Sequence, residues 1–523
     1  VRITGLPAPG PGTPRLREAL LTASFTPEGL LDLLGPSAHA ALARGETVPA
    51  LRATHPDDGP LAVLTRLFLL RRPVAYGVAR GALPLDEALG EGWLTRDGDE
   101  VRATVEVRPY ATEGAPGGDG DGAGSRDGWI VSDSRGAPGA DGAAGQAPDV
   151  VLGAGGASAT LAALTVRTPV ARALDLGTGS GVQALHASRH ADLVTATDVN
   201  PRALRMTALT LALSGAPPAD LRLGSLFDPV ADEPGYDLIV SNPPFVISPA
   251  RDGAGLTYRD GGMAGDALCR TLVRRSAAHL AEGGHCQLLA NWERTEGEDW
   301  RERLAAWVPP GCDAWIVRRE EQDVAEYAEL WLRDAGLHRG DRAAYEAAYG
   351  AWLDEFAARG ALAVGFGWVM LRRTGAERPA IRVEDWPHAV EQPLGDTVLA
   401  HFARQDFLRD RARDDDRDRD GGQAGLLSAR YVLAEGVVQE QVGAPGAEDP
   451  EHIVLRQRHG MMRATALDTV GAGFAGSCDG TLVAGTILDA IASLLGEDPF
   501  TLREGAGAWL RPLVEQGFLL PAG

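Results

Sequence analysis

Four consecutive residues, Asn242-Pro243-Pro244-Phe245, have the types needed to hold a planar NH2 group. An asparagine side chain offers both a carbonyl acceptor and an NH2 donor. The Asn242 oxygen and the Pro243 carbonyl could accept the two N–H bonds of such a group, and Phe245 could stack on its plane. The apolar run Leu238–Val240 just before them reads as a buried strand. Two prolines end it, because neither carries the N–H that a sheet ladder needs. A strand ending this way brings Asn242 to the carboxyl edge of its sheet, where open α/β sheets bind ligands. By itself, Asn-Pro also marks a plain exit from strand to loop.

A second constellation lies upstream. Gly177-Thr178-Gly179-Ser180-Gly181 follows a short apolar strand, Ala173–Leu176, and opens a helix at Val182. Glycines there let backbone come close to a ligand. The dinucleotide fingerprint needs glycine where Val182 stands, and a P-loop needs lysine, which the chain lacks altogether. What remains is an adenosyl ligand without a pyrophosphate. Asp198 ends the next strand, which begins at Leu193, and a carboxylate there can accept both ribose hydroxyls. Asp175 could hold the ligand's amino group, or could serve as a helix-start acid.

Taken together, Asp175-Leu-Gly-Thr-Gly-Ser-Gly181, Asp198 and Asn242-Pro-Pro-Phe245 resemble class I S-adenosylmethionine-dependent methyltransferases. The narrower resemblance is to the branch that methylates nitrogen on planar groups: release-factor glutamine, ribosomal RNA guanine and adenine, and adenine-specific DNA methyltransferases. It covers roughly residues 150–375. The resemblance implies S-adenosylmethionine as cofactor, bound by Asp175, Gly177, Thr178, Gly179, Gly181, Asp198, Ser225, Leu226 and Asn242. It implies Asn242, Pro243 and Phe245 as the catalytic group. Tyr258-Arg-Asp-Gly-Gly262, followed by Gly265, is similar to a Gly-Gly segment of the glutamine-methylating enzymes. One position departs: many relatives carry an acid within the stretch matching Gly224–Phe227, and Ser225 stands there. Adenine is then expected on the backbone near Leu226 and on Phe227.

The reaction implied is methylation of an amide or exocyclic amine nitrogen, on protein glutamine or on a nucleic-acid base, RNA foremost. Such nitrogens have delocalised lone pairs, so the protein's share is alignment and electrostatics. No strong general base is required, and His186, His190, His279 and His285 are expected to be ordinary helix or strand-end residues. Two alternatives remain at this level. One is small-molecule N-methylation in secondary metabolism. The other is a winged-helix regulator whose core only senses the donor, against which the intact Asn242–Phe245 motif argues.

The elements that must position these residues alternate. Strands at Ala173, Leu193, Leu221, Asp237, His285, Ala314 and Ala363 alternate with helices, predicting a Rossmann-like, seven-stranded doubly wound sheet over residues 150–375. The last strand is the candidate for antiparallel pairing. Before it, residues 1–110 read as several short helices and a hairpin around Asp97-Gly98-Asp99, a winged-helix-like docking module or a helical cap. Residues 111–149 read as a Gly-rich linker with one edge strand at Trp129-Ile-Val131, and Val150–Ser158 as a Gly-rich turn entering a helix, which can bind an anion but reads first as a tight loop. Residues 376–523 form a C-terminal module, with a mixed-charge linker from Arg409 to Gly422 and a winged-helix-like end.

Composition bounds the rest. The chain has 523 residues, 44% hydrophobic, with a formal net charge of −22. That charge disfavours a general nucleic-acid binder. It is uneven: residues 1–110 are at −1, residues 111–375 at −11 and residues 376–523 at −10. The near-neutral N-terminal segment carries Arg66, Arg71, Arg72 and Arg80, an expected docking patch for a macromolecular substrate. Four scattered cysteines without a CxxC pair predict no metal site and no disulfide framework. Without lysine, Schiff-base and lysine-nucleophile chemistry are excluded. No apolar run reaches the ~18 residues of a membrane span, and residues 1–14 lack a basic-then-apolar pattern, so a cytoplasmic protein is expected.

Overall fold

The computed structural model describes residues 6–55, 57–112, 126–133, 149–249, 262–418, 424–444 and 451–522. The chain divides into two compact units, Val1–Ala162 with Arg167–Pro387, and Ala163–Val166 with His388–Gly523.

The first unit is built on one eight-stranded sheet. Its strands are β1 (Val170–Leu176), β2 (Ala191–Asp198), β3 (Asp220–Leu223), β4 (Tyr236–Ser241), β5 (Leu280–Thr295), β6 (Cys312–Asp323), β7 (Ala361–Arg373) and β8 (Ile381–Asp385). Their order across the sheet is β3-β2-β1-β4-β5-β7-β6-β8. β7 runs antiparallel to both β5 and β6, and every other pairing is parallel. The expected seven strands are present, and β8 is an eighth beyond residue 375. It pairs with β6 from Ala314↔Ile381 to Arg318↔Asp385. Its residues are half-buried or exposed, so it lacks the apolar run that announces a central strand.

After β1 the chain winds outward through β2 and β3, then crosses back to β4 on the other side of β1. The crevice at the carboxyl ends of β1 and β4 is therefore the topological switch point. One face of the sheet is covered by Leu268, Leu272 and Val273 of the helix Ala267–His279, packed with Leu174, Ile239 and Leu288.

On the other face lies the helix Pro201–Leu213. Its Ala203, Met206, Leu209 and Leu213 share one core with Leu16, Phe25 and Phe68 of the N-terminal segment. That segment holds the expected helices and a hairpin, Leu94–Asp97 with Glu100–Ala103. The island around Trp129 is a strand, Arg126–Ser132, but it is not an edge of the large sheet. Among the described residues it pairs with Glu106–Thr112 alone, as a two-stranded ribbon. Trp129 is fully buried, and its Nε1 donates to the Phe25 carbonyl at 2.9 Å. The Trp129 and Val131 amides donate to Ser214 Oγ and Thr210 Oγ1. The arginine cluster is partly spent on internal contacts. Arg66 donates to the Asp57 carbonyl and pairs with Asp58 at 3.0 Å, and burial lowers the pKa of Arg71. Arg72 and Arg80 are exposed.

The second unit has its own core, including Tyr431, Phe474, Leu488, Leu510 and Phe518. Its three-stranded sheets are Asp479–Val483, Arg430–Leu433, Leu519–Pro521 and Val437–Val442, His452–Gln457, Ala464–Leu467. The mixed-charge run, expected as a linker from Arg409 on, is helical through Asp418 as part of Gly395–Asp418. Oppositely charged residues three and four apart support a helix, and Arg409 pairs with Asp406 at 3.0 Å.

Candidate active site at the switch point

A cavity of about 470 Å3 opens at the carboxyl ends of β1, β2 and β4. That volume suits a small-molecule ligand. Asp175, Gly177, Thr178, Gly179, Asp198, Ser225, Leu226, Asn242, Pro243 and Phe245 all line it. Of the residues expected at the site, Gly181 does not. It caps the following helix at φ 82°, and a Cβ there would lie 3.0 Å from the Thr207 Cα. It is glycine for backbone conformation and packing.

Gly177 and Gly179 differ from it. Both have positive φ, and a Cβ on either would meet no protein atom within 4 Å. The space beside them belongs to the cavity. The loop is held from behind. The Gly177 and Thr178 amides donate to the Thr197 carbonyl, both at 2.9 Å. Thr207 and Thr210, on the helix Pro201–Leu213, donate to the Gly179 and Ser180 carbonyls at 3.1 and 2.8 Å.

Asp175 is buried, and one oxygen is committed within the protein. Its Oδ2 accepts from Thr178 Oγ1 at 2.6 Å and from the Ala184 amide at 2.9 Å. The helix-start role of this acid is therefore real, and the Thr178 hydroxyl is used with it. Burial pushes the Asp175 carboxyl up to about 7, against the pull of these two hydrogen bonds. Asp198 sits at the mouth of the loop. Its Oδ2 accepts from the Gly179 amide at 3.0 Å and its Oδ1 from the Asn200 amide at 2.8 Å. Burial raises its pKa as well, opposed by those amides. An ionised carboxylate has about four lone-pair sites, so beside the Gly179, Asn200 and Val199 amides one or two remain for ligand hydroxyls.

On the far wall, Gly224 donates to the Asp198 carbonyl at 3.0 Å, and Ser225 and Leu226 line the cavity. Leu226 has φ 49°, a conformation that a branched side chain rarely adopts outside an over-determined turn. Phe227 does not meet the expectation for adenine. It is fully buried and stacked on His279, with ring centroids 4.5 Å apart, and it is absent from the lining. Leu226 takes the place facing the cavity.

Asn242 occupies the opposite end. β4 reaches it in register because Ser241 Oγ donates to the Leu176 carbonyl at 2.8 Å, tying the ends of β1 and β4 together. The Asn242 Nδ2 donates to Ser158 Oγ at 3.3 Å. Its Oδ1 is buried and has no hydrogen-bond partner. A buried acceptor left bare is costly, and such atoms mark a missing partner. Phe245 lines the cavity beside it and leans on Phe366 at 5.5 Å. The backbone two residues on is fixed: the Ile247 amide donates to the Tyr327 hydroxyl at 3.0 Å, which also accepts from Asn291 Nδ2 at 2.7 Å.

Sequence reasoning missed several lining residues. Val150–Ser158, read as a tight loop, forms a wall of the cavity through Val151, Leu152, Gly153 and Ser158. Trp331 and Asp334, from the helix Val324–Asp334, reach it too. No local signal ties that helix to a site far upstream in sequence. The segment Tyr258–Asp260 and Gly261 lie outside the described residues. Gly262 and Gly265 follow with positive φ. The histidines behave as ordinary structural residues. His186 bonds the Tyr110 hydroxyl at 2.9 Å, and burial pushes it down to about 3. Burial likewise lowers His190 and His279, and pushes His285 down to about 4. None of the four lines the cavity.

Comparison with known proteins agrees with this geometry. Residues 155–299 match the methyltransferase small domain family, and residues 22–104 match a domain of unknown function (DUF7059). A ribosomal protein uL3 glutamine methyltransferase of Bradyrhizobium diazoefficiens is 35% identical over 127 residues, 22% of this chain and 40% of the relative. A release factor glutamine methyltransferase of Cereibacter sphaeroides is 37% identical over 132 residues, 23% of this chain and 46% of the relative. A tRNA1(Val) (adenine(37)-N6)-methyltransferase of Christiangramia forsetii is 33% identical over 123 residues, 22% of this chain and 50% of the relative. The chain thus spans half or less of the length of these three relatives. Residues 155–299, which match the methyltransferase small domain family, include the strands β1 and β4 on either side of the switch point.

Proposed function

We propose that this chain transfers a methyl group from S-adenosylmethionine to the NH2 nitrogen of a planar group on a macromolecule. The observation that carries the reading is the bare, buried Asn242 Oδ1, in the same cavity as Asp198 and the open faces of Gly177 and Gly179. These residues fit an adenosyl donor. Asp198 has acceptor capacity left for ribose hydroxyls, the loop leaves room over its glycines, and Leu226 gives an apolar wall. When bound, the donor supplies an electrophilic methyl group on its sulfonium.

The chain's residues do the rest. Asn242 Oδ1 accepts one N–H of the acceptor amine, and the Pro243 carbonyl accepts the other. Holding both hydrogens turns the nitrogen lone pair out of conjugation and fixes its direction. Phe245 packs on the plane of the same group. As the new bond forms, the nitrogen becomes acidic and its proton passes to water, so no histidine is needed. Alignment of this kind is worth about 7–11 kcal/mol of barrier in favourable cases.

Among acceptors, a side-chain amide of a protein is favoured over a base. Among the described residues, no Arg or His lines the cavity, while Asp175, Asp198 and Asp334 do. Among the described lining residues, phosphates flanking a base would meet no cation. Two of the three relatives described above are named for glutamine.

The test is methyl transfer from labelled S-adenosylmethionine to fractionated lysate, with mass spectrometry on the labelled fraction. Asn242→Ala should lower the rate by about 10²–10³-fold, as for loss of one oriented catalytic hydrogen bond. Asn242→Asp, which keeps an acceptor, should retain more activity than Asn242→Ala. Equal loss of transfer and of S-adenosylhomocysteine affinity in a folded Asn242→Ala would refute the assignment.

A further inference from the structure

The unpartnered Asn242 oxygen is only half of that side chain's environment. The other half is Ser158, at the start of the helix Gly156–Leu164, whose Oγ accepts from Asn242 Nδ2 at 3.3 Å. Ser158 is itself held. Its carbonyl accepts from Gln183 Nε2 at 2.8 Å, and Gln183 is buried on the helix that follows the glycine loop. Gln183, just after the donor loop, therefore holds the backbone of Ser158, and the Ser158 hydroxyl in turn meets Asn242.

We propose that Ser158 is a positioning residue for methyl transfer: it fixes the plane of the Asn242 amide, with Gln183 fixing Ser158. This rests on the role given to Asn242 under Proposed function. An asparagine side chain with one end bare turns freely about its last bond unless the other end is anchored, because terminal sp3–sp2 torsions have broad wells. Ser158 supplies that anchor. A hydroxyl both donates and accepts, so Ser158 sets where the amide plane lies. The entering NH2 selects which end faces it, since only the oxygen end can accept its N–H. Ser158 has no part in holding the reacting nitrogen itself.

The test is a double-mutant cycle on the full chain. Its probe is S-adenosylmethionine labelled in the methyl group, with fractionated lysate as acceptor. Ser158→Ala should lower the rate at saturating donor by about three- to tenfold, the effect of one neutral hydrogen bond. S-adenosylhomocysteine affinity should not change. Ser158→Thr, which keeps the hydroxyl, should restore most of the rate. In an Asn242→Ala background, Ser158→Ala should have no further effect, because a residue acting only through Asn242 has nothing left to position. A wild-type rate in Ser158→Ala, or the same fractional loss in both backgrounds, would overturn the inference while leaving the role of Asn242 standing. A wild-type rate in Asn242→Ala, or no labelled fraction with the wild-type chain, would overturn both.

Discussion

Removing the carboxylate of Asp198 is the most direct probe of the donor site. In the folded protein each oxygen accepts one backbone amide, Gly179 at 3.0 Å and Asn200 at 2.8 Å. With the Val199 amide also bearing on this carboxylate, about one or two lone-pair sites remain for ribose hydroxyls. A hydrogen bond to a charged group contributes about 1.5–3 kcal/mol. Two such bonds set an upper range of about 3–6 kcal/mol, and Asp198 is only partly buried, so the lower end applies. Asp198→Ala should then weaken S-adenosylhomocysteine binding by about 3 kcal/mol, roughly 100-fold in Kd. Asp198→Asn should be nearly as weak, because its NH2 end would face either the Gly179 or the Asn200 amide, donor against donor. Titration calorimetry reads the affinity, and a circular dichroism melt checks the fold. A Kd within about threefold of wild type, in a variant that melts normally, would refute the reasoning, since two charged hydrogen bonds exceed that by far.

Two further outcomes follow from buried polar groups. Asp175 is held near pKa 7 by burial, against about 3.9 in an unfolded chain. The folded state then binds the extra proton, so stability falls as pH rises from about 4 to about 7, by at most about 4 kcal/mol, and levels off above. Burial of His186 and His285 acts the other way, so the Asp175 contribution is read as a difference between proteins: from pH 5 to pH 8 the urea midpoint of Asp175→Asn should gain on that of the wild type, and an unchanged gap would assign the pH dependence to other groups. Tyr327→Phe deletes an acceptor shared by the Ile247 amide and Asn291 Nδ2. Each buried donor left bare costs about 1–3 kcal/mol, so urea denaturation should show a loss of at least ~1 kcal/mol with donor affinity intact; no measurable loss would mean that other groups satisfy both donors.

The sequence alone determined the parts that depend on local rules. Period and turn chemistry placed the strands. The paired prolines after Asn242 ended β4, and the glycine spacing together with Asp198 pointed to an adenosyl ligand rather than a dinucleotide. Those features are fixed by backbone sterics and missing donors, which act within a few residues. The three-dimensional fold decided the rest, because it depends on what lies across the sheet. Asp175 and Phe227 look like ligand contacts in sequence. Folding buries Phe227 against His279, out of the cavity, and commits one Asp175 oxygen to Thr178 and Ala184 while the residue stays in the cavity lining. Gly181 looks like part of the ligand loop, and close approach of Thr207 makes it a packing residue. Trp129 reads as part of an edge strand within a linker and is buried in one core with the N-terminal segment and the helix Pro201–Leu213. Ser158 looks like a loop residue, yet it reaches Asn242 across 84 positions of chain. Contacts at such separations leave no period or spacing in the sequence, and so only the packed sheet reveals that Asn242 is anchored at one end and bare at the other.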